Sequence, residues 1–118
     1  EHCDKERLAV GKALGLELYS LFETVNSQRS EKKATLYEAL KNNALYDGLK
    51  GPVSLSDRSL SEDLPCGLGS LLDLADMMHV PAPYITAMVD TASLYMGKPY
   101  EPFLTVQDLR AIKALRGK

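Results

Sequence analysis

The sequence predicts an all-α fold, a single compact domain of about six helices. Apolar residues recur at intervals of three and four along most of the chain, the spacing that places them on one face of a helix. No stretch alternates apolar and polar residues convincingly, as a half-buried strand would. The chain has 118 residues and is 45% hydrophobic, which is enough to bury the core of one domain. We therefore expect helices packed on helices.

The N-terminal part of the chain predicts two helices. Asp4 is a good N-cap for a helix over 5–14, and Gly15 supplies the left-handed residue that ends it. Ser20 and Glu23 have the spacing of a capping box, so they predict the start of a short second helix. We expect the polar residues that follow it to form a loop.

A third helix is predicted over 31–42, because Ser30 is a suitable N-cap and the apolar residues behind it keep a helical period. Asp47-Gly48 then marks a turn. Residues 53–60 show no helical period. We expect them to form an irregular approach to the next helix.

The longest apolar pattern predicts a central helix over 65–78. Pro65 suits its first turn, and either Ser61 or Asp63 is placed to cap it. Its apolar residues cover most of its circumference, so we expect it to be the most buried element. Those residues are Leu68, Leu71, Leu72, Leu74, Ala75 and Met78.

Two further helices are predicted towards the end of the chain. Pro81-Ala82-Pro83 stops the central helix and starts one over 84–96, which Gly97 ends. Thr105, with Asp108 three residues later, is placed to open a last helix over 106–115.

Charge and hydropathy exclude two kinds of partner. The net charge is −2 and the basic residues form no long cluster, so we expect no nucleic acid partner. The most apolar window, 68–80, contains two aspartates and is shorter than the roughly 20 residues of a membrane span. We therefore expect no membrane partner either.

The cysteines and the first residue indicate the setting of the chain. Cys3 and Cys66 lie outside any paired spacing, which favours free thiols in a reducing, cytoplasmic compartment. The chain begins at Glu1 rather than at methionine, so we expect it to be part of a longer polypeptide.

Two patterns suggest ligand sites, and each has a simpler interpretation. Gly67-Leu-Gly69 is part of a GxGxxG motif, but the third glycine and a preceding strand are missing, so we expect no cofactor-binding residue here. Asp73, Asp76 and His79 are spaced three apart and could collect a metal ion, as in a small metal-dependent regulator. A solvated helix face that ends in a histidine near the negative end of the helix dipole explains them equally well, so no metal is predicted.

The stretch 57–69 carries the polar residues best placed for chemistry. Arg58 and Asp63 stand five residues apart, directly before the central apolar pattern. The simpler interpretation is that Arg58 lies on the surface and that Asp63 caps a helix. Spacing alone favours that interpretation. The rest of the chain offers no Ser/His/Asp or Cys/His set.

The order of these motifs resembles a known family. Arg58, four residues, Asp63-Leu-Pro, an apolar helix and a Val-Pro-x-Pro step are similar to the C-terminal helical domain of the octopine/nopaline (opine) dehydrogenases. The opening segment 4–16 also resembles the first helix of that family, so the likeness covers nearly the whole chain. It implies a fold like the C-terminal helical domain of 6-phosphogluconate dehydrogenase-like oxidoreductases.

The resemblance also implies an activity. Members of the family use NAD or NADP to reduce the imine formed between an amino acid and a 2-oxo acid. In them the aspartate of this motif pairs with the histidine of a catalytic dyad, and the arginine binds a substrate carboxylate. Those residues are Asp63 and Arg58 here. The dyad histidine lies upstream in the family, and neither His2 nor His79 stands in its place.

The resemblance thus predicts that residues 1–118 are the substrate-side helical domain of an opine dehydrogenase-like oxidoreductase. Its partners would be an amino acid, a 2-oxo acid and an N-terminal Rossmann domain that this chain lacks, so the chain alone should be inactive. A homodimer stays open. Ser59 and Cys66 stand where the family tends to carry aromatic residues, and His79 where a small residue is usual, so the substrate stays open too. The alternative is a helical interaction or dimerisation module that has lost catalysis.

Overall fold

The structure is a computed structural model that describes residues 1–41, 43–54 and 56–116. Within those residues the chain forms helices and loops and no strand, which confirms the all-α fold class. None of the described helices is both long and apolar enough to cross a membrane. The elements are α1 (His2–Ala13), α2 (Leu21–Ser27), α3 (Leu36–Leu40), a 3₁₀ turn (Ala44–Tyr46), α4 (Arg58–Ser61), a π-helical segment (Leu64–Gly69), α5 (Ser70–Met77), α6 (Pro83–Met96) and α7 (Val106–Arg116).

The main core lies where α1, α5 and α6 meet. Its largest fully buried side chains are Val10 of α1 and Ile85 and Val89 of α6. α5 contributes the small Ala75 at the centre, and its leucines lie half-buried around that contact. The prediction that the stretch over 65–78 would be the most buried element is confirmed, because only Cys66, Gly67 and Asp76 are exposed in it. Its leucines flank a close helix contact that an alanine makes possible.

Glu6 caps α6 from another helix. Its side chain is 8% exposed, and its two oxygens accept the N–H groups of Tyr84 and Ile85 at 2.8 Å each. These donors belong to the first turn of α6, where N–H groups have no partner within the helix. The N-cap residue of α6, Ala82, makes no side-chain hydrogen bond to them. A carboxylate of α1 thus fixes where α6 begins.

Replacing Glu6 with glutamine is expected to lower the free energy of unfolding by about 1.5–3 kcal/mol, the usual contribution of a hydrogen bond to a charged group. Glutamine keeps one acceptor oxygen, but its NH₂ group would face an N–H that also donates. Urea unfolding measures this change. Glu17→Gln is the control, because Glu17 is exposed. Equal stability of the two variants would show that Glu6 does not cap α6.

α1 begins at His2, and Asp4 is not its N-cap. The Asp4 carboxylate instead accepts the N–H of Leu21, at the start of α2, at 2.8 Å and binds Arg7 at 2.7 Å. Burial acts to raise the pKa of Asp4, but the hydrogen bonds from Leu21 and Arg7 outweigh it, so the pKa is lowered. The predicted cap was wrong because the carboxylate accepts a hydrogen bond from the first residue of α2, 17 residues further along the chain. Gly15 does have the predicted left-handed φ, 74°.

The capping box that opens α2 is confirmed. The N–H of Glu23 donates to Ser20 Oγ at 3.1 Å, and the N–H of Ser20 donates to Glu23 Oε2 at 2.7 Å. Both partners lie in the same turn. The start of α2 can therefore be predicted from four consecutive residues.

The third helix is shorter than predicted. α3 follows Thr35, which forms a capping box with Glu38, so the helix predicted from residue 31 was wrong for 31–34. Asn26 fixes those residues in a loop, because its side chain bonds both the N–H and the carbonyl of Lys33. The predicted end of this helix, residue 42, lies outside the described residues.

The last two helices agree with the prediction. α6 ends at Gly97, whose φ is 64°. Thr105 N–H donates to Asp108 Oδ2 at 2.8 Å, and Asp108 N–H donates to Thr105 Oγ1 at 3.2 Å, so the two residues cap α7 reciprocally. The residues that end α6 and begin α7 are next to those helices in the sequence. Local patterns could therefore predict both helix ends.

Candidate functional site

The stretch with the candidate residues forms the short helix α4 and then the π-helical segment. Asp57 caps α4, because its Oδ1 accepts the N–H of Ser59 at 3.0 Å and the Ser59 hydroxyl at 2.9 Å. These hydrogen bonds lower the pKa of Asp57. A cap at Ser61 or Asp63 and a helix-free approach over 53–60 had been predicted, and both predictions were wrong. A helix of four residues is too short to show an apolar period.

Arg58 is the first residue of α4, and its side chain is 75% exposed. Its Nε lies 3.4 Å from Oε2 of Glu62, one turn further along, and the Glu62 side chain is exposed too. Exposed pairs of this kind contribute about 0–1 kcal/mol, so the contact does little for stability. The two terminal guanidinium nitrogens make no hydrogen bond within the described part of the chain. They are available to an anion that approaches from outside.

Asp63 stands at the N-cap position of the π-helical segment, yet its side chain makes no capping hydrogen bond. Its φ of −68° and ψ of −30° are already helical, whereas a capping residue is usually extended. The residue is exposed, and its carboxylate has no ion pair or hydrogen bond among residues 1–41, 43–54 and 56–116. The structural role that the simpler interpretation gave to Asp63 is therefore absent.

Two cavities lie beside the loop over 97–102. The larger, of about 600 Å³, is a mainly apolar groove between α5, α6 and the loop over 97–102. The smaller, of about 280 Å³, is lined on one side by Ser61, Leu64 and Pro65, which are the neighbours of Asp63 along the chain. Arg58 and Asp63 line neither cavity, and Arg58 pairs with Glu62 rather than with Asp63. Both candidate residues are thus exposed outside these two cavities.

The π-helical segment is fixed by a contact with Tyr100. The Tyr100 ring lies so close to the backbone of Gly69 that any Cβ there would overlap the ring. Segments of π-helix are rare and often occur at functional sites. Asp63 directly precedes this one. The sequence indicated only a partial dinucleotide motif at Gly69. Local spacing could not show that Tyr100 packs there and leaves room only for a glycine.

Asp73 supports the same contact from α5. It is 4% exposed, and its Oδ2 accepts the N–H groups of Phe103 and Leu104 at 3.0 Å each. Burial, and then the nearby Asp73 carboxylate, raise the pKa of the Tyr100 hydroxyl, which therefore stays protonated at neutral pH. Asp73 thus holds the chain just after Tyr100. Sequence reasoning missed this role because the partners lie 30 and 31 residues away.

The metal interpretation of Asp73, Asp76 and His79 does not fit this arrangement. Asp73 is buried and its Oδ2 accepts two backbone N–H groups, and His79 has a φ of 54° in the left-handed turn that ends α5. Within the described ranges, no three histidine, cysteine, aspartate or glutamate side chains are grouped as metal ligands would be.

The fold and the site define an all-α domain in which the two candidate residues, Arg58 and Asp63, are exposed. The chain matches the family described as NAD/NADP octopine/nopaline dehydrogenase, alpha-helical domain, over residues 1–96. It belongs to this family, which confirms the resemblance seen in the motifs. It is 38% identical over 93 residues to an opine dehydrogenase from Arthrobacter sp. (strain 1C). That match covers 79% of this chain and 26% of the relative, so the chain spans about a quarter of the relative's length. No solved structure matches the chain.

Proposed function

We propose that residues 1–118 are the substrate-side helical domain of an NAD(P)-dependent opine dehydrogenase-like oxidoreductase, which reductively condenses an amino acid with a 2-oxo acid. Family membership supports an oxidoreductase of this kind, and the name of the relative supports the formation of an opine. The observation that carries the proposal is the Asp63 carboxylate, which has no structural partner among the described residues.

Asp63 is proposed as the carboxylate of an aspartate–histidine dyad. A carboxylate bonded to one imidazole nitrogen fixes the tautomer and favours the charged ring, so that the other nitrogen can exchange a proton with the substrate carbonyl. The histidines of this chain have other positions: His2 stacks on Tyr84, and His79 ends α5. The dyad histidine is therefore expected on another part of the protein, facing the start of the π-helical segment.

Arg58 is proposed to bind a carboxylate of the substrate. Its guanidinium group can donate two parallel hydrogen bonds to a carboxylate, which a lysine cannot. The contact of its Nε with Glu62 leaves both terminal nitrogens for that task. Amino acids and 2-oxo acids both carry a carboxylate, so this role suits either substrate.

The residues of this chain do not fit a dinucleotide. A pyrophosphate is bound at a glycine turn between a strand and a helix. Gly67 and Gly69 instead lie inside the π-helical segment, and Tyr100 covers Gly69. The described residues also contain no strand. NAD or NADP is therefore proposed to bind mainly on a Rossmann domain outside this chain, and the chain alone is proposed to be inactive.

The full-length protein tests this function. We expect NADH or NADPH to be consumed only when an amino acid and a 2-oxo acid are both present, because the imine forms from the two together. Mass spectrometry should then detect an N-(1-carboxyalkyl) amino acid. Omitting each substrate in turn is the control. Consumption of cofactor with a 2-oxo acid alone would indicate a simple keto-acid reductase instead.

The alternative is a non-catalytic helical module for interaction or dimerisation. One observation favours it, the uncovered apolar face of α6. The same assay separates the two functions. A module that had lost catalysis would consume no cofactor with any pair of substrates.

A further inference from the structure

Basic side chains surround a cavity of about 400 Å³ beside the loop that joins α2 to α3. We call it the basic cavity, and its lining residues are Arg29, Lys32, Lys33, Ala34, Glu38 and Lys41. None of them lines either cavity beside the loop over 97–102, and none belongs to the stretch 57–69. The basic cavity is therefore separate from the candidate site.

Lys32 has a fixed position in this cavity. Its Nζ donates to the carbonyls of Asn26, Ser27 and Arg29 at 3.0, 3.0 and 2.9 Å. These carbonyls lie at the C-terminal end of α2 or just beyond it, where the helix dipole favours a positive charge. No carboxylate forms an ion pair with Lys32 within the described ranges. Its hydrogen bonds thus hold the ammonium group in place while its charge stays without a counter-charge.

The guanidinium group of Arg29 connects the loop to α3. Its Nη1 donates to the carbonyl of Ala39 at 3.0 Å. Its Nε is buried without a hydrogen-bond partner, and its Nη2 makes no hydrogen bond to the part of the chain that the structure describes. Arg29 has no carboxylate partner there either. A guanidinium group held in this way is oriented before a ligand binds, so binding costs less side-chain freedom.

The remaining charges leave the basic cavity positive. Lys41 Nζ lies 5.4 Å from the centroid of the Tyr37 ring and has no carboxylate partner among the described residues. Lys33 pairs with Glu31 at 2.6 Å, so those two charges cancel. Glu38 adds one negative charge, and its carboxylate caps α3. Three unpaired cations and one carboxylate give an excess of two positive charges, although the whole chain has a net charge of −2.

We propose that the basic cavity binds the phosphate group of a small ligand. A phosphate group carries about 1.5 to 2 negative charges at neutral pH, which matches the excess of positive charge. The planar guanidinium group of Arg29 suits phosphate oxygens, and the lysines add point charges around it. A volume of about 400 Å³ accommodates inorganic phosphate or a small phosphomonoester. The proposal does not depend on the catalytic roles proposed for Arg58 and Asp63.

Titration of the full-length protein with inorganic phosphate, followed by the line width of the phosphate signal in phosphorus NMR, tests the proposal. NADH or NADPH is present at saturation, so that a dinucleotide site does not take up phosphate. The ionic strength is held constant with KCl, because salt screens exposed charges. We expect a dissociation constant in the millimolar range or below.

Lys41→Gln should weaken phosphate binding by about threefold to fivefold, the effect of losing one exposed charge. Arg29→Gln should weaken it by about tenfold or more, because a charge-assisted hydrogen bond is lost as well. Lys113→Gln is the matched control, since Lys113 is exposed on α7 and does not line the cavity. It should bind phosphate as the unmodified protein does.

Lys41→Gln also decides the question if Arg29→Gln fails to fold after losing its bond to Ala39. The side chain of Lys41 makes no hydrogen bond to the described residues, so its replacement leaves the fold intact. Two results would overturn the proposal. One is the absence of binding up to about 10 mM phosphate. The other is binding that Lys41→Gln weakens no more than Lys113→Gln does.

Competition between inorganic phosphate and glycerol phosphate identifies the source of the phosphate group. Tighter binding of glycerol phosphate would assign the basic cavity to a phosphomonoester, and tighter binding of inorganic phosphate would assign it to the free ion. Glycerol alone is the control. If glycerol displaced phosphate equally well, the cavity would not recognise a phosphate group and the proposal would be wrong.

Discussion

Replacing Asp63 with asparagine in the full-length protein is expected to lower turnover by about 10²-fold or more, the usual reach of positioned acid–base catalysis. Asparagine keeps the size of the side chain but has no negative charge, so it neither stabilises a charged imidazole nor fixes the imidazole tautomer as a carboxylate does. Stability should change by no more than about 0.5 kcal/mol, because Asp63 is exposed and makes no cap or ion pair among the described residues. Steady-state turnover and urea unfolding of the same preparation measure both quantities.

Asp57→Asn is the matched control for Asp63. It makes the same substitution six residues earlier in the same polar stretch, and asparagine retains the ability to cap α4. Its turnover should stay near that of the unmodified protein. An Asp63→Asn variant that also kept near-normal turnover would return Asp63 to a surface role.

Replacing Arg58 with lysine is expected to lower kcat/KM for one organic substrate by about 10- to 150-fold. Lysine keeps the charge but loses the two parallel hydrogen bonds, and a charge-assisted bond contributes roughly 1.5–3 kcal/mol. The ion pair with Glu62 cannot account for such a loss, because both side chains are exposed and such pairs contribute about 0–1 kcal/mol. The KM for the cofactor should barely change, since the nicotinamide is proposed to bind on another domain. Steady-state kinetics with each substrate varied in turn measure these effects.

Arg110→Lys serves as the control for Arg58. Arg110 is exposed on α7, well beyond the polar stretch in sequence, so its replacement should leave every kinetic constant unchanged. If Arg58→Lys behaved in the same way for both organic substrates, Arg58 would not bind a substrate carboxylate.

Local patterns predicted the elements whose boundaries are decided locally. The capping box at Ser20, the glycine stop at Gly97 and the reciprocal cap at Thr105 all involve residues of one turn. Local patterns failed where a residue distant in sequence determines where a helix begins. Asp4 caps α2 instead of its own helix, and Asn26 holds 31–34 in a loop before α3 can start. Each of these contacts joins residues that are neighbours only in the fold.

The sequence supplied the candidate residues but not their geometry. Arg58 and Asp63 were assigned by resemblance to a family, and that family is confirmed. Their roles remain proposals. The sequence did not indicate that Asp57 would cap α4, or that Asp63 would precede a π-helical segment packed against Tyr100. The first depends on a helix too short to show a period, and the second on a contact between residues 31 positions apart.

A crystal structure of the full-length protein with its amino acid substrate would test the central claim most directly. We predict that the Asp63 carboxylate lies about 2.6–3.2 Å from an imidazole nitrogen whose other nitrogen faces the reacting atoms. We also predict that the terminal nitrogens of Arg58 bind a substrate carboxylate. A substrate bound away from α4 and the π-helical segment, with Arg58 and Asp63 both facing solvent, would contradict the account.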